Sequence, residues 1–144
     1  MLSEYDLHTK VVSYLRRFHD DIIFNASLGE MQDTSEKRIK CYKMGYLKGI
    51  SDLYILENNI EFSGLFIEFK SPNGQGIISE KQLQLSKELS YRNFKCIISC
   101  DYDEVIKEIN EYLSTRRLKC YPCIKKFKNS ETLKTHLQVI HRIN

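Results

Sequence analysis

Residues 64–70, GLFIEFK, admit few structural solutions. Successive side chains of a strand point to opposite faces, so Leu65, Ile67 and Phe69 share one face while Phe66, Glu68 and Lys70 share the other. A carboxylate and an ammonium on such an apolar strand cost free energy unless they are exposed, paired or holding a metal. The residues just before, GYLKGISDLYILENNIEF, supply a second strand. Strands are expected near 52–57 and 63–70, separated by Asn58 and Asn59 and forming a hairpin. In such a hairpin Asp52, which follows the Gly49-Ile50-Ser51 turn, lies beside Glu68.

The remaining elements follow from periodicity and caps. Leu7, Val11, Tyr14, Leu15 and Phe18 recur at helical spacing, with Ser3 as N-cap and acidic residues in the first turn. DIIFNASL reads as a strand, and residues 33–44 as a short basic helix or an ordered loop. SPNGQG is a loop. ISEKQLQLSKELSYR is an amphipathic helix capped by Ser79, FKCIISC a short β-branched strand, and DYDEVIKEINEYL a helix capped by Asp101. The order α-β-(α)-β-β-α-β-α predicts an α/β fold, a mixed sheet with helices packed on it.

Charge divides the chain. Residues 1–113 carry 14 Lys and Arg against 18 Asp and Glu, whereas residues 114–144 carry 8 against 1. The boundary falls at Ser114-Thr115, and the basic tail is the part expected to seek polyanions, nucleic acid above all. A hydrophobic fraction of 42% suffices for a core, no apolar run approaches membrane-spanning length, and the N-terminus is too polar for a signal peptide. The expectation is a soluble intracellular protein with no membrane partner. Five cysteines argue against a disulfide framework. Cys41, Cys96 and Cys100 read as small buried or partly buried apolar residues, and His8 and His19 carry no evident chemistry.

The tail, LKCYPCIKKFKNSETLKTHLQVIH, spaces Cys120, Cys123, His136 and His141 as C-x2-C-x12-H-x4-H. That lies within the range for a tetrahedral zinc site, in which a tight turn supplies two thiolates and one helix supplies two imidazoles. Leu118, Phe127 and Leu133 would form its miniature core, too small to fold without metal. Residues 117–141 resemble the ββα zinc-finger family. The positions that read bases in that family correspond to Asn129, Glu131, Thr132 and Thr135, with no Arg to clamp guanine. Lys125, Lys126 and Lys128 suit phosphate contact. A protein-binding or purely structural finger stays open as an alternative.

In the body, Asp52 and Glu68 converging at a strand end suit a hard cation such as magnesium or manganese. Such a cation lowers the pKa of a bound water and neutralises charge on a phosphate. Lys70 lies about 7 Å further along the same face, where it can orient a water or stabilise a charged transition state. An edge-strand salt bridge would also account for Glu68 and Lys70.

The arrangement D-x15-E-x-K on consecutive strands resembles the PD-(D/E)xK nuclease fold. The fuller pattern, KMGYLKGISDLYI, LFIEFK and ISEKQLQLSKEL, is similar to the VRR-NUC family, the virus-type replication-repair nucleases, over roughly residues 3–113. The resemblance implies that Asp52, Glu68 and the Phe69 carbonyl ligate metal and that Lys70 is the catalytic lysine. It also implies that Glu4 is an additional acidic residue and that Gln82 supports the site. Gln82 is preferred over Gln84 by its offset from Ser79. Glu4 also reads simply as a residue complementing the helix dipole. Ser51 replaces the family's proline, which bears on rigidity rather than chemistry. Lys37, Arg38, Lys40, Lys43 and Lys48 would track a phosphate backbone.

The resulting expectation has two parts: a nuclease domain over 1–113 and a basic ββα zinc finger over 114–144. The protein would be a magnesium- or manganese-dependent endonuclease cutting branched or flapped DNA in repair or recombination, acting as a homodimer. The alternatives are an inactive nuclease-like scaffold serving a zinc-finger binding or adaptor protein, and a restriction-type nuclease with sequence choice.

Overall fold

The computed structural model describes residues 3–27, 33–71, 76–116, 118–120, 125–127 and 129–141, with backbone alone for 118–120, 125, 126 and 141. The elements run α1 (Glu4–Phe18), β1 (Phe24–Ala26), α2 (Ser35–Lys43), β2 (Leu53–Ile55), β3 (Leu65–Phe69), α3 (Glu80–Tyr91), β4 (Lys95–Ser99) and α4 (Tyr102–Ser114). They continue with β5 (Leu118–Cys120), β6 (Lys125–Phe127) and α5 (Ser130–His136). Through α4 this is the succession read from patterning, with 35–43 resolved as a helix. The caps act where the sequence places them. Ser3 and Ser79 each accept from a backbone N–H three residues on, and Asp101 accepts from the Glu104 N–H. Each satisfies a donor that the first helical turn otherwise leaves unpaired.

One four-stranded mixed sheet has the order β1-β2-β3-β4. The first three strands pair antiparallel, and β3 pairs parallel with β4, so α3 serves as the crossover. Strand β3 is therefore interior, and all five of its residues are buried. The chief core lies between the sheet and the pair α1 and α4. Leu7, Val11 and Leu15 join Val105, Ile109, Tyr112 and Leu113 over Leu53, Ile55, Leu65, Ile67 and Phe69. Helical spacing on two helices and alternate positions on two strands bury one continuous apolar cluster, the dominant stabilising term. Helix α3, with no fully buried residue, packs against β4.

Three local readings need correction. Of the expected strand over 21–28, the described residues 21–27 are extended in the ladder only over Phe24–Ala26, while Ile22 is buried in the core. Asn58 and Asn59 do not make a tight hairpin turn; residues 56–64 form a longer loop. Asn59 is buried and fully engaged. Its Oδ1 accepts from the N–H groups of Glu61 (2.9 Å) and Phe62 (2.6 Å), and its Nδ2 donates to the Tyr112 carbonyl and to Thr115 Oγ1, both at 3.2 Å. The Tyr112 hydroxyl donates to the Glu57 carbonyl at 2.5 Å, and burial pushes its pKa up to about 12. The loop shape is thus set by α4, a partner that local turn chemistry does not reveal. Finally, Cys100 is exposed, while Cys41 and Cys96 are half-buried as expected.

Helix α4 ends at Ser114, where the charge changes sign. The next residues are tied back to the body. The Ile60 N–H donates to the Thr115 carbonyl at 3.1 Å, and Arg116 pairs with Asp21 at 2.5 Å. Strands β5 and β6 form a separate antiparallel sheet followed by α5, in the order β-β-α. Cys123 and Lys128 lie outside the described residues, as do the side chains of Leu118, Cys120, Lys125, Lys126 and His141. Among the described residues, no helix is long and apolar enough to cross a membrane.

Candidate active site

The Gly45–Gly49 turn delivers the chain into β2. Gly45 and Gly49 adopt φ of +91° and +90°, a region that side chains disfavour. Gly49 also sits so close to α3 that a Cβ would fall 3.2 Å from the Lys81 carbonyl carbon and 3.3 Å from the Gln82 nitrogen. The turn is thereby pressed against the first turn of that helix. Asp52 follows, its carbonyl accepting from the Ser27 N–H at 2.8 Å. Continuing the β2–β3 register by one residue sets Asp52 opposite Glu68. Asp52 Oδ2 accepts from the Phe69 N–H at 2.9 Å, which orients the carboxylate along the end of β3.

Glu68 is only 4% exposed. Its Oε1 accepts from Lys70 Nζ at 2.7 Å and from Gln82 Nε2. Burial pushes its pKa up to about 7; the Lys70 hydrogen bond and charge pull it down, and the charges of Asp52 and Glu4 push it up. Because β3 lies inside the sheet, an edge-strand salt bridge does not describe the Glu68–Lys70 pair. Lys70 itself is largely enclosed, its side chain 14% exposed. Gly76 closes over it, a Cβ there falling 2.9 Å from Lys70 Cδ.

Gln82 makes two sets of bonds. Its Oε1 accepts from the Ser79 N–H at 2.9 Å and from the Ser79 hydroxyl at 3.0 Å, completing a reciprocal cap. That fixes the amide so that Nε2 donates to Glu68. The Ser79-x-x-Gln82 spacing is therefore both a helix start and a brace for the carboxylate, and Gln84 faces elsewhere, lining a groove on α3. Replacing Gln82 by Ala should lower any Glu68-dependent activity about tenfold or more, by analogy with losses on removing ligand-supporting partners. Gln84→Ala should leave it unchanged, as parallel rate measurements would show.

The structure thus gathers Asp52, Glu68, Lys70 and Gln82 at the carboxyl end of β3. Glu4, the first residue of α1, is half-buried and near enough for its charge to act on Glu68. The sequence offered no reason to single out His8, yet its ring lies 4.8 Å from that of Phe69, one helical turn beyond Glu4. Ser51, Ser86 and Cys96 line a small recess with Glu68 and Gln82. Only the helical offset of Ser86 from Gln82 could have marked it in the sequence.

The donor chemistry fits a hard divalent cation. Among the described residues, Asp52 Oδ1 and Glu68 Oε2 accept no hydrogen bond, while their partner oxygens are anchored. No group of three His, Cys, Asp or Glu side chains converges among those residues. A cation here would therefore draw further oxygens from backbone or water, as magnesium commonly does.

In the tail, the Phe127 and His136 rings lie 4.7 Å apart, and Phe127 is paired with Leu118 across the β5–β6 ladder. After α5 the chain continues as a π-helical turn, Leu137–His141. A π turn is closed by i→i+5 hydrogen bonds and is wider than an α turn, which brings positions 136 and 141 nearer to one face than a continued α-helix would.

The fold is a four-stranded mixed sheet flanked by helices, with the carboxylate–lysine cluster at the carboxyl end of β3. A solved structure of a VRR_NUC domain protein superimposes with a TM-score of 0.66 at 23% sequence identity, covering 80% of this chain and 91% of that chain. The chain therefore has the fold of that VRR_NUC domain protein. Comparison of the sequence with protein-family profiles and with curated proteins finds no match.

Proposed function

We propose that the protein is a metal-dependent nuclease of the VRR-NUC family that hydrolyses phosphodiester bonds in DNA. The observation that carries this reading is Glu68: buried in a central strand, held by Lys70 and Gln82, and set opposite Asp52. Burying such a group costs several kcal/mol without compensation, and a site assembled around it is a functional candidate. Asp52, Glu68 and the Phe69 carbonyl would hold magnesium or manganese, which when bound supplies water activation and charge neutralisation at a phosphate. Lys70 contributes a fixed positive charge toward a reacting phosphate, pre-oriented by Glu68 and enclosed by Gly76. Gln82 keeps the Glu68 carboxylate in one rotamer, and Glu4 adds negative charge that favours cation binding.

The substrate we favour is branched or flapped DNA in repair or recombination, cut by a homodimer inside the cell. The test is cleavage of labelled four-way junction, flap, single-stranded and duplex DNA with magnesium or manganese. Wild type should cut, and Glu68→Ala should not. Binding without cutting, unaltered by the substitution, would make the body a scaffold.

Residues 114–144 form a second, zinc-binding unit in this reading, with Cys120, Cys123, His136 and His141 as ligands and DNA phosphates as its target. The β-β-α order, the His136–Phe127 contact and the π turn between the histidines support it. One zinc per chain is expected by elemental analysis of the purified protein. His136→Ala or a chelator should remove that zinc and unfold the tail while the body keeps its thermal transition. A metal-free tail with unchanged amide spectra would exclude the site.

A further inference from the structure

Helix α3 lies with one side on β4 and presents a groove on its other side. The groove has a volume of about 520 Å3 and an apolar lining of Leu47, Leu85 and Leu89. Its rim carries Lys48 and Lys81 at one end and Arg92 at the other. Among the described residues Glu88 is the one carboxylate in the lining, and it is paired with Arg92 at 2.8 Å. A second, shallower groove adjoins this end and adds Lys87 and Tyr91. Tyr91 is 91% exposed, more than any other large hydrophobic residue among those described.

One end of the groove, at Lys48 and Lys81, adjoins the recess that Gly49, Glu68 and Gln82 line. Lys81 precedes Gln82, which holds Glu68, and Lys48 precedes Gly49, whose backbone abuts Lys81 and Gln82. From Lys81 to Arg92 the helix advances about 16 Å. An apolar trough with cations along its rim and an exposed aromatic at its far end suits a ligand with both phosphates and unstacked bases. A duplex offers the phosphates but keeps its bases stacked and hydrogen-bonded, so it would leave the apolar lining uncovered.

We propose that this groove binds an unpaired single strand of the substrate, leading it away from the Asp52–Glu68–Lys70 cluster along α3. The inference rests on the nuclease reading and specifies its substrate: DNA with a single-stranded arm next to the cut. Lys48 and Lys81 hold the phosphates nearest the cluster, Leu47, Leu85 and Leu89 take unstacked bases, and Tyr91 stacks a base at the far end.

The test compares the full chain with Lys48→Glu and Tyr91→Ala, both exposed positions. Binding of labelled DNA is followed by anisotropy without divalent metal, using a duplex bearing one single-stranded arm and the same duplex with blunt ends. Each variant should bind the armed duplex about tenfold more weakly and the blunt duplex almost as well as wild type. With magnesium, cleavage of the armed substrate should fall in parallel. Equal weakening on both DNAs would reduce the groove to a general electrostatic patch and overturn the proposal. Unchanged DNA binding with altered sedimentation would assign the groove to a second copy of the chain and overturn it too. If wild type cuts DNA while the variants match it on both substrates, the groove inference alone fails. If wild type neither binds nor cuts, the nuclease reading fails with it.

Discussion

Lys70→Ala should reduce phosphodiester cleavage about a thousandfold, with the loss in kcat and little change in KM. Lys70 is mostly enclosed and bonded to Glu68, so the proposed function gives it the part of a fixed charge rather than of a surface contact. Its removal has a second consequence. Lys70 is the principal influence holding the Glu68 pKa down against burial, so without it that pKa rises above about 7. A metal-ligating carboxylate must be ionised. The acid limb of the pH–rate profile should therefore move to higher pH in the variant. Lys70→Arg should not rescue, because a planar fork is not interchangeable with an ammonium. Cleavage within tenfold of wild type, with an unmoved acid limb, would remove Lys70 from the site.

Glu68→Gln should inactivate the protein yet stabilise its metal-free form. The ordinary carboxyl value of 4.5 is raised to about 7 in the fold, chiefly by burial. Below pH 4.5 the carboxyl is neutral in both folded and unfolded chains. Between 4.5 and 7 the unfolded chain ionises while the folded one keeps its proton. Stability is therefore lost as pH rises through that window, by about 3 kcal/mol in all. Glutamine mimics the neutral acid and escapes the loss. In urea titrations with chelator, Glu68→Gln should exceed wild type by up to about 3 kcal/mol at pH 8 and match it near pH 4. Magnesium should stabilise wild type at pH 8 but not the variant, since a ligand adds stability only where it binds the folded state. Destabilisation of the variant at pH 8 that disappears near pH 4 would show that Glu68 is an ordinary salt-bridge partner, ionised in the fold.

Much of this was legible in the sequence because its causes are local. Ser3, Ser79 and Asp101 announce helix starts through bonds spanning three residues, and the apolar spacing of α1 and α4 identifies their buried faces. The pair Glu68 and Lys70 stands out by chemical misfit within an apolar strand, and Gln82 is singled out by the resemblance to the VRR-NUC pattern, its offset from Ser79 deciding against Gln84. Asp52 was placed by counting back along a neighbouring strand. The extent of β1, the shape of the 56–64 loop and the exposure of Cys100 were not legible, since each depends on remote partners or on what packs above it.

The amino-acid sequence by itself determined the order of elements, their caps, the charge boundary at residue 114 and the identity of the chemically unusual side chains. These rest on interactions among residues close along the chain. Only the tertiary structure decided that β3 is the interior strand, which turns Glu68 from a possible surface charge into a buried carboxylate. It also decided that Gln82 closes on Glu68, that Gly76 covers Lys70, and that α3 carries a cationic groove away from them. Strand order and helix docking are settled by burial of apolar surface across the whole domain, which no local stretch encodes.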